Sequence, residues 1–379
     1  MTRNSHILST VFAAAGLLAA ALLGGCGTGT TAAPTDTLRP TETPVPLTAT
    51  PVPSGPPALE LASAGAVLPE GILAAKWGAG GAAVTDIAWS PDGIRLAWPH
   101  ENGVVIADVP TGLQVISIAG HTAPVLTVDW SPDGSRIATG SEDSTVRVWD
   151  VWTGEQIAAY EEHSAPVDRV RWSPDGQRLF STASTAGQTA ETLGGEVFVW
   201  DAASGEQLLA LTDHTRPAAW LPDSTSLLTT VPGAMALTDV LTGEALPFAG
   251  TADWMADTYA PRWSGALSPD GVLYVRTLIQ AHGTGSTAEA VSLETGEVMW
   301  SQEARYATIG LWEWAPDGRL LAMGGPNIVV MRDGMTGRQL VMLVAEVGDM
   351  TALRWSPDSQ MVATGAADGS VIIWDASEY

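Results

Sequence analysis

From about residue 71 to the C-terminus, short runs of alternating apolar and polar residues recur, each bounded by turn-forming residues. Val125, Val128 and Trp130 mark one run, and Val167, Val170 and Trp172 another, as expected of half-buried strands. Each such run ends in a tight reversal, as in Trp130-Ser131-Pro132-Asp133-Gly134. There Pro fixes φ, Asp binds the turn's own backbone, and Gly takes the left-handed position. A second strand follows, such as Arg136-Ile137-Ala138-Thr139, and a third ends in Trp-Asp, as at Trp149-Asp150. Another turn, Thr153-Gly154 in this repeat, leads to a short fourth strand over Gln156 to Tyr160. The pattern predicts four antiparallel strands per unit.

The unit repeats. Its anchors are Trp89, Trp130, Trp172, Trp220, Leu267, Trp314 and Trp355, at steps of 41, 42, 48, 47, 47 and 41 residues. Each is followed by Ser-Pro-Asp-Gly or a looser copy of it. Self-similarity at a period of 40–50 residues is the mark of an array of like units, since one unit alone cannot bury its faces.

Period, strand count and Trp-Asp ends together resemble the WD40 family of β-propellers over roughly residues 71–379. The resemblance implies an all-β fold, a single seven-bladed propeller of four-stranded antiparallel blades. The fullest copy is the second repeat, with Gly120-His121, Thr139, Asp143 and Trp149. By the resemblance, His121, Thr139, Asp143 and Trp149 form a structural hydrogen-bonded tetrad. Other repeats depart from it: Glu346 stands where His is expected, and Glu294 where Asp is expected. The Ser-Pro-Asp-Gly turns are also similar to those of periplasmic TolB-type propellers.

The chain stops at Tyr379, just after Trp374-Asp375, so the last unit lacks a fourth strand. The run Ile72-Leu73-Ala74-Ala75-Lys76 aligns with Gln156 to Tyr160 and is expected to complete it, leaving no open sheet edge.

Ahead of the repeats the pattern changes. Arg3 and the apolar stretch Ile7 to Leu23 have the layout of an export signal, and the stretch is too short and small-residue-rich to span comfortably. The run Leu23-Gly24-Gly25-Cys26 resembles the lipobox of bacterial lipoproteins, which implies cleavage before Cys26 and its acylation. Residues 26–70 form a Pro/Thr-rich stretch that cannot bury a core, so a flexible linker is expected. Extended, it reaches on the order of 100 Å, and as a coil about 30–40 Å. The expected division is therefore signal peptide 1–25, lipidated Cys and linker 26–70, and propeller 71–379. The protein is expected outside the cytoplasm, anchored to a bacterial membrane at the cell surface or the periplasmic face.

Composition narrows the partners. With Lys+Arg 17 against Asp+Glu 42 and a formal net charge of −25, no nucleic-acid partner is expected, because phosphate recognition needs a positive surface. A membrane contact through a basic patch is excluded on the same ground, leaving the lipid anchor alone. The single Cys excludes an internal disulfide framework. No cofactor and no metal is expected: there is no Gly-rich phosphate loop, zinc helix, nucleophile elbow or EF-hand spacing.

In a four-stranded meander the connection into each unit and the turn between its second and third strands share one face. The long insertions fall there: Ser184 to Gly195, Pro247 to Gly265 and Gln280 to Thr287. Long loops on a rigid scaffold are where binding residues gather. Trp98, His100, Trp254, Tyr259, Trp263 and His282 are the candidate binding face, for a protein or peptide partner of a monomeric propeller; packing of Trp254 and Trp263 against the disc is the alternative. Two other functions stay open: a propeller hydrolase or lyase with a site at the central funnel, and an envelope-complex assembly factor.

Overall fold

The computed structural model describes residues 82–184, 195–212, 215–231, 234–247, 265–279, 286–303 and 311–379. All these lie in the unit Leu47–Tyr379; a second unit, Met1–Pro46, lies outside the described residues. The described part is all β. The first sheet is β1 (Ala88–Trp89), β2 (Arg95–His100), β3 (Gly103–Asp108) and β4 (Leu113–Ala119). The second is β5 (Val125–Trp130), β6 (Arg136–Ser141), β7 (Val146–Asp150) and β8 (Gln156–Tyr160). The third is β9 (Val167–Trp172), β10 (Arg178–Ser184), β11 (Gly195–Asp201) and β12 (Gln207–Thr212). The fourth has three strands, β13 (Thr215–Trp220), β14 (Ser226–Val231) and β15 (Ala234–Asp239). The fifth is β16 (Gly265–Leu267), β17 (Leu273–Ile279), β18 (Ser286–Ser292) and β19 (Val298–Glu303). The sixth joins β20 (Leu311–Trp314), β21 (Leu320–Asp333), β22 (Gln339–Trp355), β23 (Met361–Ala366) and β24 (Val371–Asp375).

The propeller thus has six blades where seven were expected, and β22 is the reason. Its first part pairs with β21, from Arg332↔Gln339 to Ile328↔Val344, and its last part pairs with β23, from Trp355↔Val362 to Met350↔Ala366. The connection 345–349 carries a register shift between Pro326 and Ile328 and a left-handed Gly348 at φ 79°, yet Pro326↔Asp349 still pairs beyond it, so two sequence repeats share one sheet.

Each turn is built as its sequence dictates. Ser131 Oγ donates to Asp133 Oδ1 (2.6 Å), Asp133 Oδ1 accepts the Ser135 N–H (3.0 Å), and Gly134 sits at φ 74°. In the turn after the third strand, Asp150 Oδ1 accepts the N–H groups of Trp152 (2.9 Å) and Thr153 (2.8 Å). The two turns of one repeat touch, as where Val151 N–H donates to Ser135 O (3.1 Å). They therefore lie on one face of the disc.

Among the described residues seven buried clusters form the core, and each draws on two repeats that are neighbours in the ring. Anchor indoles bolt these joints. Trp220 Nε1–H donates to Arg171 O (3.2 Å), Trp314 to Ala266 O (3.2 Å) and Trp355 to Glu313 O (3.0 Å). Trp89 does the same to Arg354 O (3.2 Å), so the first repeat meets the last through the joint used elsewhere. Val84, Ile87, Trp89 and Leu96 share a core with Ala352, Ala363, Val371 and Ile373. The expected closure by an N-terminal strand is corrected accordingly. No described strand precedes β1, Ile72 to Lys76 lie outside the described residues, and face-to-face packing makes the joint.

Candidate functional site

The structure brings His121, Thr139, Asp143 and Trp149 into one chain of hydrogen bonds inside the second blade. Trp149 Nε1–H donates to Thr139 Oγ1 (2.8 Å), Thr139 Oγ1 lies 2.7 Å from His121 Nε2, and His121 Nδ1 lies 2.9 Å from Asp143 Oδ2. Asp143 can only accept when ionised, so His121 carries its proton on Nδ1 and the Thr139 hydroxyl donates to Nε2. Burial lowers the His121 pKa from its usual value despite the Asp143 carboxylate, which keeps the ring neutral. Burial alone would raise Asp143, but hydrogen bonds from Thr145, the Thr122 N–H and His121 outweigh it and hold the carboxyl well below its ordinary range.

A second copy in the third blade uses Ser181, His163, Glu196 and Trp200. Trp200 Nε1–H donates to Ser181 Oγ (2.8 Å), His163 Nε2 lies 2.6 Å from that oxygen, and Nδ1 lies 3.1 Å from Glu196 Oε2. Hydroxyl, imidazole and carboxylate in line have the order of a nucleophile, base and orienting acid. Ser181 is fully buried, however, and its oxygen already accepts the indole N–H, so no substrate carbonyl reaches it. These arrays stiffen blades. The fuller array was legible from Gly120-His121; the second was visible only at His163, because Ser and Glu replace Thr and Asp.

Of the candidate binding face, Trp98 and His100 lie among the described residues. Trp98 is 8% exposed and packs with Val105 and Ala107 in the core shared by the first and last repeats. It was expected at a binding surface; instead it fills the space left by Ala107, which pairs with Leu96 as Trp149 pairs with Ile137. His100 ends β2 and is exposed. Trp254, Tyr259, Trp263 and His282 lie outside the described residues, as does Cys26.

The sequence reading missed a charged cluster on the innermost strands. Asp86 lies just before β1. Its Oδ1 accepts from Ile87 N (3.0 Å), Arg171 Nη2 (3.2 Å) and Arg354 Nη2 (3.2 Å). Its Oδ2 accepts from Thr127 Oγ1 (2.7 Å), Val128 N (3.3 Å) and Arg171 Nη1 (2.9 Å). Arg354 Nη1 also donates to Glu313 Oε2 (3.0 Å), and Trp172 N–H donates to Asp129 Oδ2 (2.8 Å). Side-chain exposures of 16%, 10%, 23% and 25% for Arg171, Asp86, Arg354 and Glu313 place the cluster largely out of bulk water. Desolvation raises Asp129 to about 6, against the nearby Arg171 charge, and raises Glu313 well above its ordinary range. A signal existed. Asp129, Arg171, Glu313 and Arg354 each stand one residue before an anchor, so charge recurs at a single position of the repeat.

Chemically, the cluster is saturated with its own partners: both Asp86 oxygens are filled, and Asp129 is held by backbone N–H groups. Among the described residues no three His, Cys, Asp or Glu side chains are grouped so as to hold a metal ion.

Three stretches, 112–150, 154–201 and 338–375, match the WD40 family, described as WD domain, G-beta repeat. Over 110 residues the chain is 31% identical to the Serine-threonine kinase receptor-associated protein of Gallus gallus, covering 29% of this chain and 29% of that protein. Over 90 residues it is 27% identical to Protein HIRA of Dictyostelium discoideum, covering 21% of this chain and 8% of that protein. The chain thus spans less than a third of the length of either relative. The buried tetrad of the second blade falls within the first matched stretch: this chain carries three stretches similar to WD40 repeats, set in an all-β propeller of antiparallel blades.

Proposed function

We propose that this protein is a non-catalytic WD40 propeller lipoprotein that displays a protein- or peptide-binding platform outside the cytoplasm. Residues 1–25 are its signal peptide, Cys26 its lipid attachment, 26–70 its flexible stalk and 71–379 its monomeric propeller. The carrying observation is that two polar clusters among the described residues, of the types ordinarily used for chemistry, are spent on their own hydrogen bonds. The Thr139–His121–Asp143 array and the Asp86 cluster hold the ring, while loops and turns are left to meet partners. The name of the Gallus gallus relative, a receptor-associated protein, describes association with another protein, which supports the same class of role here. The acidic balance biases the platform toward neutral or basic partners.

The test is chemical cross-linking of the full-length chain on intact cells, wild type against the double variant Trp254→Ala/Tyr259→Ala. One protein enriched by wild type and lost with the variant supports the platform. Equal recovery by both places the contact elsewhere, and turnover of an ester, peptide or glycoside by the purified protein contradicts a non-catalytic role.

A further inference from the structure

We propose that Asp86 is the keystone of ring closure: one carboxylate that fastens the first repeat to the second, third and seventh, where the first and last repeats meet without a shared strand among the described residues. A propeller must join its first and last blades, and that joint costs the entropy of closing nearly the whole chain into a loop. Here the joint has three parts near Asp86: the Val84 N–H bond to Ala366 O (3.1 Å), the Thr351 hydroxyl bond to Val84 O, and the Trp89 indole bond to Arg354 O. Asp86 lies between Val84 and Trp89. It adds the long-range contacts, to Thr127 and Val128 of the second repeat, Arg171 of the third and Arg354 of the seventh. Arg354 then passes the connection to Glu313 of the sixth.

The position is special in the sequence. Asp86 stands three residues before its anchor, where the other repeats carry Thr127, Arg169, Pro217, Ser264, Leu311 and Ala352. Only the repeat that closes the ring has a carboxylate there. Six donors converge on this one carboxylate, three to each oxygen. Three of those donors belong to two guanidinium groups, Arg171 of the third repeat and Arg354 of the seventh. Neutralising Asp86 leaves both guanidiniums short of an anion, and their repulsion then acts at the seam between first and last repeats. The ring's inner wall at this depth is consequently filled by the protein's own charges.

Hydrogen exchange followed by mass spectrometry on the full chain tests this with Asp86→Asn, which keeps the shape and removes the charge. The expected result is exchange about tenfold faster or more in β1, β2, β23 and β24, with β10 and β14 unchanged, the pattern of a local opening. Faster exchange spread evenly over all sheets, or no change at the seam, overturns the proposal. If Asp86→Asn does not fold, Arg354→Met and Arg171→Met separate the arms. Arg354→Met is expected to open β23 and β24, and Arg171→Met to leave them closed; the same pattern from both overturns it.

Discussion

Replacing Thr139 by Val tests whether the buried tetrad of the second blade holds it together through hydrogen bonds and not through shape alone. The two side chains have nearly the same volume, so no cavity forms, and Thr139 is 1% exposed, so no water replaces the hydroxyl. Two groups lose their partner at once: the Trp149 indole N–H, now 2.8 Å from Thr139 Oγ1, and His121 Nε2, at 2.7 Å. An orphaned buried polar group costs about 1–3 kcal/mol, so the pair should cost about 3 kcal/mol after partial relaxation. The folded body of about 300 residues has an unfolding entropy near 0.6 kcal/mol/K, and Tm should therefore fall by about 5 °C. Scanning calorimetry at pH 7.5, where His121 is neutral, reads this directly. Adding Trp149→Phe to Thr139→Val should cost less than Trp149→Phe costs in the wild type, because the indole N–H has already lost its acceptor. A Tm within about 1 °C of wild type, or strict additivity of the two changes, would refute the reasoning.

Other consequences follow from the same geometry. Asp129 is raised to about 6, so it binds its proton more tightly in the fold than in the unfolded chain. Its contribution is full below its ordinary pKa near 3.8 and is lost as pH rises through about 6. Asp129→Asn should therefore gain on wild type between pH 4 and pH 7, by on the order of 2 kcal/mol, in thermal unfolding across that range; a constant difference would contradict the burial of this carboxyl. His121 and His163 act in the other sense. Burial lowers both, so their arrays contribute stability above pH 6.5 that is lost as pH falls through the lowered folded values. Gly120→Ala would place a Cβ 2.6 Å from Trp149 Cη2, so it should destabilise by about 1–3 kcal/mol, and an unchanged Tm would show the indole free to move.

The sequence made the repeat legible because its turns are chemically strict. Ser131, Asp133 and Gly134 each do one task in the reversal, and the same residues recur after Trp89, Trp172 and Leu267, with looser copies after the other anchors. The tetrad was legible for the same reason. Blade number was not, because it depends on whether the connection between Val344 and Met350 parts two sheets, and pattern alone does not show that pairing resumes at Pro326↔Asp349 after a register shift. Trp98 was misplaced because periodicity counts residues and not volumes: the small Ala107, paired with Leu96 where Trp149 pairs with Ile137, leaves the room that an inward indole fills. The central charges were overlooked because Asp129, Arg171, Glu313 and Arg354 occupy the polar phase of an alternating strand. In a single sheet that phase faces water, but in a closed ring it faces the other blades.

The tethered platform is tested most directly by fractionating cells that express full-length wild type or Cys26→Ala. Wild type is expected in the membrane fraction, with a lipid-modified cysteine as the first residue of the mature chain by mass spectrometry. Cys26→Ala is expected in the soluble fraction with an unchanged Tm, since the anchor and the propeller are separate parts of the chain. A Cys26→Ala protein that stays with the membranes, or a mature wild-type chain whose Cys26 bears no lipid, would contradict the tether.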